Sequence, residues 1–504
     1  MHISVQRVSN PGGRNIEPPP IFQVSAQFVL QHWLRFLAVS AIVLIPCFWH
    51  RRIVAADLGS HLYNAWLVEL IEHGQAPGLW IARRWNNVLF DYLLSGLGSV
   101  FGLRVAERVA VSFAVLVFFW GIFALLCAAT RHAPWLLLPC FALVTYGWTF
   151  HMGFFNYFLS LGLASWGIAI FWRGKGWERL AVVAIAPLAL LAHPLGLAWL
   201  VGASVYIVTA EKLPRRLHFL LLLAAAALLF LAHHYLWHHY IVEVRDGPPY
   251  LFNGADQLVL FGRLYRIPEF AILVFVAVFL AADVFRRRRE PGLCADYLLP
   301  LQLYVIVELG VLWLPRGIHF PQYIGVLALL TERLTSVSAV LGCWLLGAMR
   351  PSKWHLAGSL AIAGIFFFFV YQDTAAVNKM EAQIERLVSA LPPGQRVMGT
   401  ILPPAGSRVT IQHIVDRACI GRCFSYGNYE PGAGMFRVRA VAGNPYVLSD
   451  YRLAVSMEDG YYVVQPQDLP VYQIYQCSED GTDLCITSLE AGEENDEMGV
   501  HPTE

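Results

Sequence analysis

The densest group of residues able to do chemistry is Asp57, His61 and Asn64, in the segment Ala55-Ala-Asp57-Leu-Gly-Ser-His61-Leu-Tyr63-Asn64-Ala-Trp66 that runs on to Glu72-His73-Gly74. Leu58, Leu62, Ala65, Trp66, Glu69 and Leu70 follow helical spacing, and Gly74 is a natural terminator. The spacing predicts an amphipathic helix lying on a membrane surface. On it Asp57, His61 and Asn64 stand at i, i+4 and i+7, on one side and away from the Leu58, Leu62 and Trp66 stripe. A carboxylate so placed can accept a proton from an attacking hydroxyl. It can equally cap the helix by accepting a backbone N–H from Gly59 or Ser60, and one residue can do both.

Further polar groups punctuate apolar stretches. His151-Met-Gly153-Phe-Phe-Asn156 opens one such stretch, and His193-Pro194-Leu-Gly196 interrupts another. Asn156 reads as a site residue or as a helix–helix hydrogen bond, and His193 as a site residue or as part of a Pro-Gly turn. Arg316 and His319 lie in the connection Leu314-Pro-Arg316-Gly-Ile-His319-Phe-Pro321, and Arg83-Arg84 follow the first helix. A guanidinium suits phosphate because its planar donors meet two oxygens, so Arg316 is the preferred phosphate ligand, with Arg83 and Arg84 behind it. Glu308 and Glu332-Arg333 sit within apolar runs, where ionisable groups are functional candidates. His234 and His238 are four apart, yet two ligands do not make a metal site, and histidines with aromatics at a span end form an interfacial belt.

What must position these residues follows from composition. Apolar residues make up 57% of the 504-residue chain and charged residues only 14%, against about 25% charged in a soluble protein. The reading is a polytopic α-helical membrane protein. Apolar runs at 33–49, 109–130, 135–150, 154–172, 180–192, 195–210, 217–237, 270–285, 297–314, 323–348 and 355–371 give about eleven transmembrane helices. A twelfth, at 88–101, would invert several loops. A polar tail, 1–32, precedes the first span and reads as uncleaved. Basic residues concentrate at Arg286 to Arg289 and around Arg350 and Lys353. Placed inside, they put the first loop, 50–108, and everything after Tyr371 on the outer face.

The net charge of +1 conceals a division. Up to Tyr371 there are 27 basic and 17 acidic residues, whereas the remainder has 9 and 18. After residue 372 the pattern becomes short runs separated by Pro, Gly and Asn turns, at 396–402, 408–415, 436–442, 461–465 and 471–476. It predicts a small β-rich extracytoplasmic domain, 372–489, with an acidic disordered tail, 490–504. Cys419, Cys423, Cys477 and Cys485 all fall there, so two disulfides are expected and three pairings are open. Cys47, Cys127, Cys140, Cys294 and Cys343 lie in or beside spans as small buried residues. No basic domain stands apart from the membrane, so nucleic acid is excluded as a partner. Walker, dinucleotide, G-x-S-x-G and H-E-x-x-H motifs are absent.

Asp57 at the head of a short helix ending in Gly74, then Arg83-Arg84 and an amphipathic stretch ending Phe101-Gly102, then Arg104 opening the next span, resembles the first outer loop of the GT-C superfamily of integral membrane glycosyltransferases. The likeness is to the protein O-mannosyltransferase and aminoarabinose-transferase branches and covers residues 57–110. It implies a GT-C-like transmembrane domain, 33–371, that passes a sugar from a polyprenyl-phosphate carrier to a glycan, lipid or protein acceptor at the outer face of a bacterial inner membrane. It implies Asp57 as the catalytic group and a divalent metal as the cofactor that such a site admits. Relatives often carry two adjacent acids, whereas Leu58 follows Asp57 here. The alternatives are a non-catalytic scaffold whose outer domain binds a glycan or protein partner, and a transporter or lipid flippase, which lacks a repeat in its favour.

Overall fold

The computed structural model describes residues 21–245, 247, 251–289, 293–349, 351–478 and 481–492. The tail before residue 21, the acidic stretch from 493, the anchor Arg350 and the Cys294 side chain lie outside the described residues. The chain is mainly helical with a small strand region. Among the described residues seven helices are long and apolar enough to cross a membrane: Leu103–Thr130, Phe155–Arg173, Pro194–Lys212, Arg215–His239, Arg263–Arg287, Asp296–Trp313 and Lys353–Ala390. They expose leucine, valine and phenylalanine, as in Leu220, Leu228, Phe230, Phe270 and Val274, the surface an integral membrane protein presents to lipid.

Four expected spans differ. The first helix, Ile21–Val43, is kinked at His32 and contributes only a shorter apolar stretch, Leu30–Val43. The run at 135–150 breaks into a 3-10 turn and the short helices Leu138–Thr145 and Trp148–His151. Helix Ala181–Ala192 has 12 residues and an internal Pro187. Helix Leu330–Ala348 has 19 residues but carries Glu332, Arg333 and several hydroxyls, so it falls short of the hydropathy of a span. The 88–101 stretch forms helix Leu89–Phe101, whose 13 residues reach about 20 Å against a hydrocarbon core of about 30 Å.

Small residues set the closest helix packing. A Cβ on Gly162 of helix Phe155–Arg173 would lie 2.8 Å from the Phe118 Cα of helix Leu103–Thr130, so this approach requires glycine. Helix Lys353–Ala390 runs unbroken for 38 residues through Tyr371, where composition suggested a boundary. Beyond it a four-stranded sheet has the order Phe424–Ser425, Arg396–Thr400, Val471–Gln476, Leu484–Ser488, with the first two pairings parallel and the last antiparallel. Runs 396–402 and 471–476 are thus strands. Run 408–415 is instead a loop entering helix Ile414–Cys419, run 461–465 forms no named strand, and run 436–442 pairs outside this sheet. The disulfides are Cys419–Cys423 and Cys477–Cys485, and Cys47, Cys127, Cys140 and Cys343 are free.

The C-terminal region and the first loop form one body. Strand Leu79–Ile81 pairs antiparallel with Val438–Ala440, and a single apolar cluster runs from Val43 and Phe118 through Leu58 and Tyr63 to Ile414, Val397 and Ile474. Helix Leu58–Glu72 is therefore buried on nearly every side rather than lying on a membrane surface. Its polar residues find partners on the C-terminal region, a contact invisible to periodicity within the loop.

Candidate functional site

Two backbone hydrogen bonds fix the approach to Asp57: Ala56 N–H donates to His151 O (2.8 Å) and Asp57 N–H to Met152 O (3.1 Å). The turn behind them needs Gly153, which has φ +78° and whose added Cβ would lie 2.6 Å from the Asp57 nitrogen. Opposite, Gly59 lets the helix press onto the His413 carbonyl so closely that any Cβ would collide with it. Asp57 stands at the N-cap position of helix Leu58–Glu72, but its side chain makes no capping hydrogen bond. Among the described residues the carboxylate makes no hydrogen bond or ion pair. Burial pushes its pKa up, while His413, His61 and Arg333 pull it down.

His61 does not turn toward a ligand alongside Asn64, as their shared side suggested. Its Nδ1 lies 2.7 Å from Asp91 Oδ1, and Asn156 Nδ2 donates to the other Asp91 oxygen at 2.9 Å. Asn156 also donates to Asn87 O and accepts the Phe90 N–H, so it fixes the start of helix Leu89–Phe101. Asn64 donates to Ser60 and accepts from Asn428 at 3.1 Å, and Ser60 Oγ donates to Glu430 at 2.7 Å. Asn64 and Asn156 are positioning groups.

His193 Nδ1 accepts the Leu195 N–H (3.2 Å), capping helix Pro194–Lys212. Burial, then Arg333, holds this ring's pKa well below the usual range. A neutral ring accepting at Nδ1 carries its proton on Nε2, and Nε2 lies 3.3 Å from Arg333 Nη1. Two donors thus stand side by side, an arrangement that an anion's oxygen satisfies. Among the described residues Arg333 Nε has no hydrogen-bond partner, and the guanidinium lies over the Phe154 ring, 4.2 Å from its centroid.

The remaining expected residues are elsewhere. Arg316 Nε donates to Glu332 at 2.9 Å. His319, on a strand paired with Ile241–Glu243, lies 3.4 Å from Glu243. Neither has a described contact with Asp57. Arg83 is exposed, and Arg84 donates twice to Met435 O. The His234 and His238 rings lie against one another at 3.9 Å, and among the described residues no group of three or more His, Cys, Asp or Glu is placed to hold a metal.

Sequence reasoning did not select the C-terminal contributors. His413 Nδ1 lies 3.0 Å from Asp416 Oδ2, whose other oxygen accepts from Ser425 Oγ at 2.5 Å, and Glu458 is 3.9 Å from the same ring nitrogen. The signal was available in the i, i+3 pair His413 and Asp416, but nothing within 408–420 says that it faces a loop some 350 residues away. Asp91 and Glu430 were likewise unremarkable in sequence.

These charges make the joint between loop and C-terminal region pH-dependent. Burial pushes Glu430 up to about 7 and Glu458 up to about 8. Burial opposes the charged rings of His61 and His413, but Asp91 and Asp416 outweigh it and hold them at about 9 and about 10. In all four the folded pKa lies above the unfolded value. Their stabilisation is therefore present below the unfolded pKa and is lost as pH rises through the folded one. Protection of amides at 410–460 against hydrogen exchange, corrected for intrinsic rates, should fall between pH 6 and pH 9.5. Protection that held constant or rose would contradict this.

No protein-family model, curated protein or solved structure matches this chain.

Proposed function

We propose that the protein is a GT-C-like membrane glycosyltransferase with about eleven spans, moving a sugar from a polyprenyl-phosphate carrier to an acceptor on the outer face of a bacterial inner membrane. The observation that carries the reading is the uncommitted Asp57 carboxylate, held at the head of the first-loop helix within the field of His61, His413 and Arg333. Asp57 takes the acceptor's hydroxyl proton as the new C–O bond forms and the bond from the anomeric carbon to the phosphate oxygen breaks. The departing phosphate keeps that electron pair. Arg333 and His193 receive its charge through the two donors they present, which gives the phosphate-binding role to Arg333 in place of Arg316. Neutral His193 adds a hydrogen bond without requiring proton transfer. Seven apolar helices support the membrane placement, and helix Leu330–Ala348 carries Arg333, beside His193, near one end and meets Arg287 at the other.

The test is transfer by purified protein in proteoliposomes supplied with polyprenyl-phosphate-linked hexoses or pentoses and extracted envelope acceptors. Mass spectrometry should detect a glycosylated acceptor together with free polyprenyl phosphate. Consumption of none of the donors, by protein whose fold is intact, would remove the assignment.

A further inference from the structure

Arginine is unevenly neutralised in this protein. Arg52, Arg316, Arg408 and Arg417 each meet a carboxylate. Arg84, Arg437 and Arg439 meet none within salt-bridge reach among the described residues, although all three are half-buried. The pairing of Leu79–Ile81 with Val438–Ala440 brings them together, with Trp80 opposite Arg439 and Ala82 N–H donating to Arg437 O at 2.8 Å.

Their existing bonds are to neutral acceptors. Arg84 donates to Met435 O through Nε and Nη2, and lies over the Tyr323 ring at 5.1 Å. Arg439 Nη2 donates to Gly434 O at 2.6 Å. Arg437 donates to Ser95 Oγ at 3.1 Å and lies 4.4 Å from the Tyr92 ring centroid, while its Nε is buried with no hydrogen-bond partner among the described residues. Burial first, then the like charge of Arg84, weakens proton binding by Arg439, with Glu430 acting the other way, and Asp91 feels the charge of Arg437; among the described residues neither carboxylate comes within salt-bridge reach, so the guanidiniums keep only neutral direct partners. A fold that retains such a group bears a repulsive cost that an anion removes.

We propose that this seam between the first loop and the C-terminal region is a phosphate-binding site formed by Arg84, Arg437 and Arg439. Three guanidiniums exceed the charge of a single carboxylate and match a phosphate dianion or diphosphate, whose oxygens take paired N–H donors. Among the described residues none of these three arginines contacts Arg333 or His193, and the proposal does not depend on the transfer chemistry. The phosphate belongs either to a lipid headgroup or to a soluble phosphate compound.

The full-length protein in detergent, titrated with inorganic pyrophosphate against chloride of equal ionic strength, and in nanodiscs with phosphatidic acid against phosphatidylcholine alone, separates the two sources. Thermal unfolding should shift upward with at least one of them: pyrophosphate alone marks a soluble ligand, phosphatidic acid alone a headgroup. The double variant Arg437→Gln, Arg439→Gln should bind about tenfold more weakly or worse, whereas Arg333→Gln should retain seam binding. Should the double variant fail to fold, Arg437→Lys, which keeps the charge but loses the planar fork, must weaken binding. No shift with either phosphate source, an unchanged affinity in the arginine variants, or a loss confined to Arg333→Gln would overturn the assignment.

Discussion

Asp57→Asn is expected to lower sugar transfer by about 10²- to 10⁴-fold, the usual contribution of a positioned general base, while leaving folding intact. The separation of effects follows from the geometry. A capping aspartate would contribute about 1 kcal/mol to its helix, but Asp57 makes no capping bond. The segment is held instead by the Ala56 and Asp57 backbone amides on His151 and Met152, which the substitution does not touch. Asparagine keeps the shape and loses the proton acceptor. In the wild type, transfer should fall on acidification as Asp57 takes up a proton, and because burial raises its pKa this acid limb should lie above that of an exposed aspartate. Single-turnover measurements across pH, with unfolding recorded in parallel, provide the check. Loss of activity matched by loss of fold would mean a structural role, and full activity would remove Asp57 from the chemistry.

Arg417→Met should be the most damaging single substitution for stability, at about 3–5 kcal/mol, the range for removing one partner from a buried ion pair. Arg417 lies 3.6 Å from Glu107 and 3.3 Å from Glu381, and also donates to Ile53 O at 3.0 Å. Arg52 meets Glu381 from the other side at 3.6 Å and bonds Glu385. These side chains are nearly inaccessible except Glu385, so methionine would strand Glu107 and half of Glu381 in a dry setting. Replacing Glu107 and Arg417 together by glutamine and methionine should restore part of the loss, since fewer unmatched charges remain buried. Denaturant unfolding in micelles reads both. A change below about 1 kcal/mol for Arg417→Met, the range of an exposed pair, would show that the network is solvated.

Local signals in the sequence were reliable where the deciding contacts are local. The helix from Leu58 ends at Glu72, before Gly74 at φ +70°, and strand Val471–Gln476 coincides with its alternating run. Cysteine count foretold two disulfides but left their pairing open. Of the predicted site residues, Asp57, His61 and His193 gather about Arg333 and His413, with Asn64 and Asn156 as their supports. Arg316 looks available as a guanidinium in a short turn, whereas Glu332 lies within reach once the chain folds back. Run 436–442 holds strand Val438–Ala440, whose partner is Leu79–Ile81 of the first loop rather than a neighbour in the C-terminal sheet. Pairings across some 350 residues leave no trace in periodicity.

The unbroken helix Lys353–Ala390 makes the bundle and the C-terminal region parts of one lever. Thirty-eight residues extend about 57 Å, roughly twice the hydrocarbon thickness, so the helix is far longer than a single crossing requires. Glu381 and Glu385 sit near its C-terminal end and grip Arg52 just ahead of Asp57. The apolar stretch of this helix and the loop that carries Asp57 are therefore joined by one continuous rod and a buried ion-pair network, without a flexible linker between them.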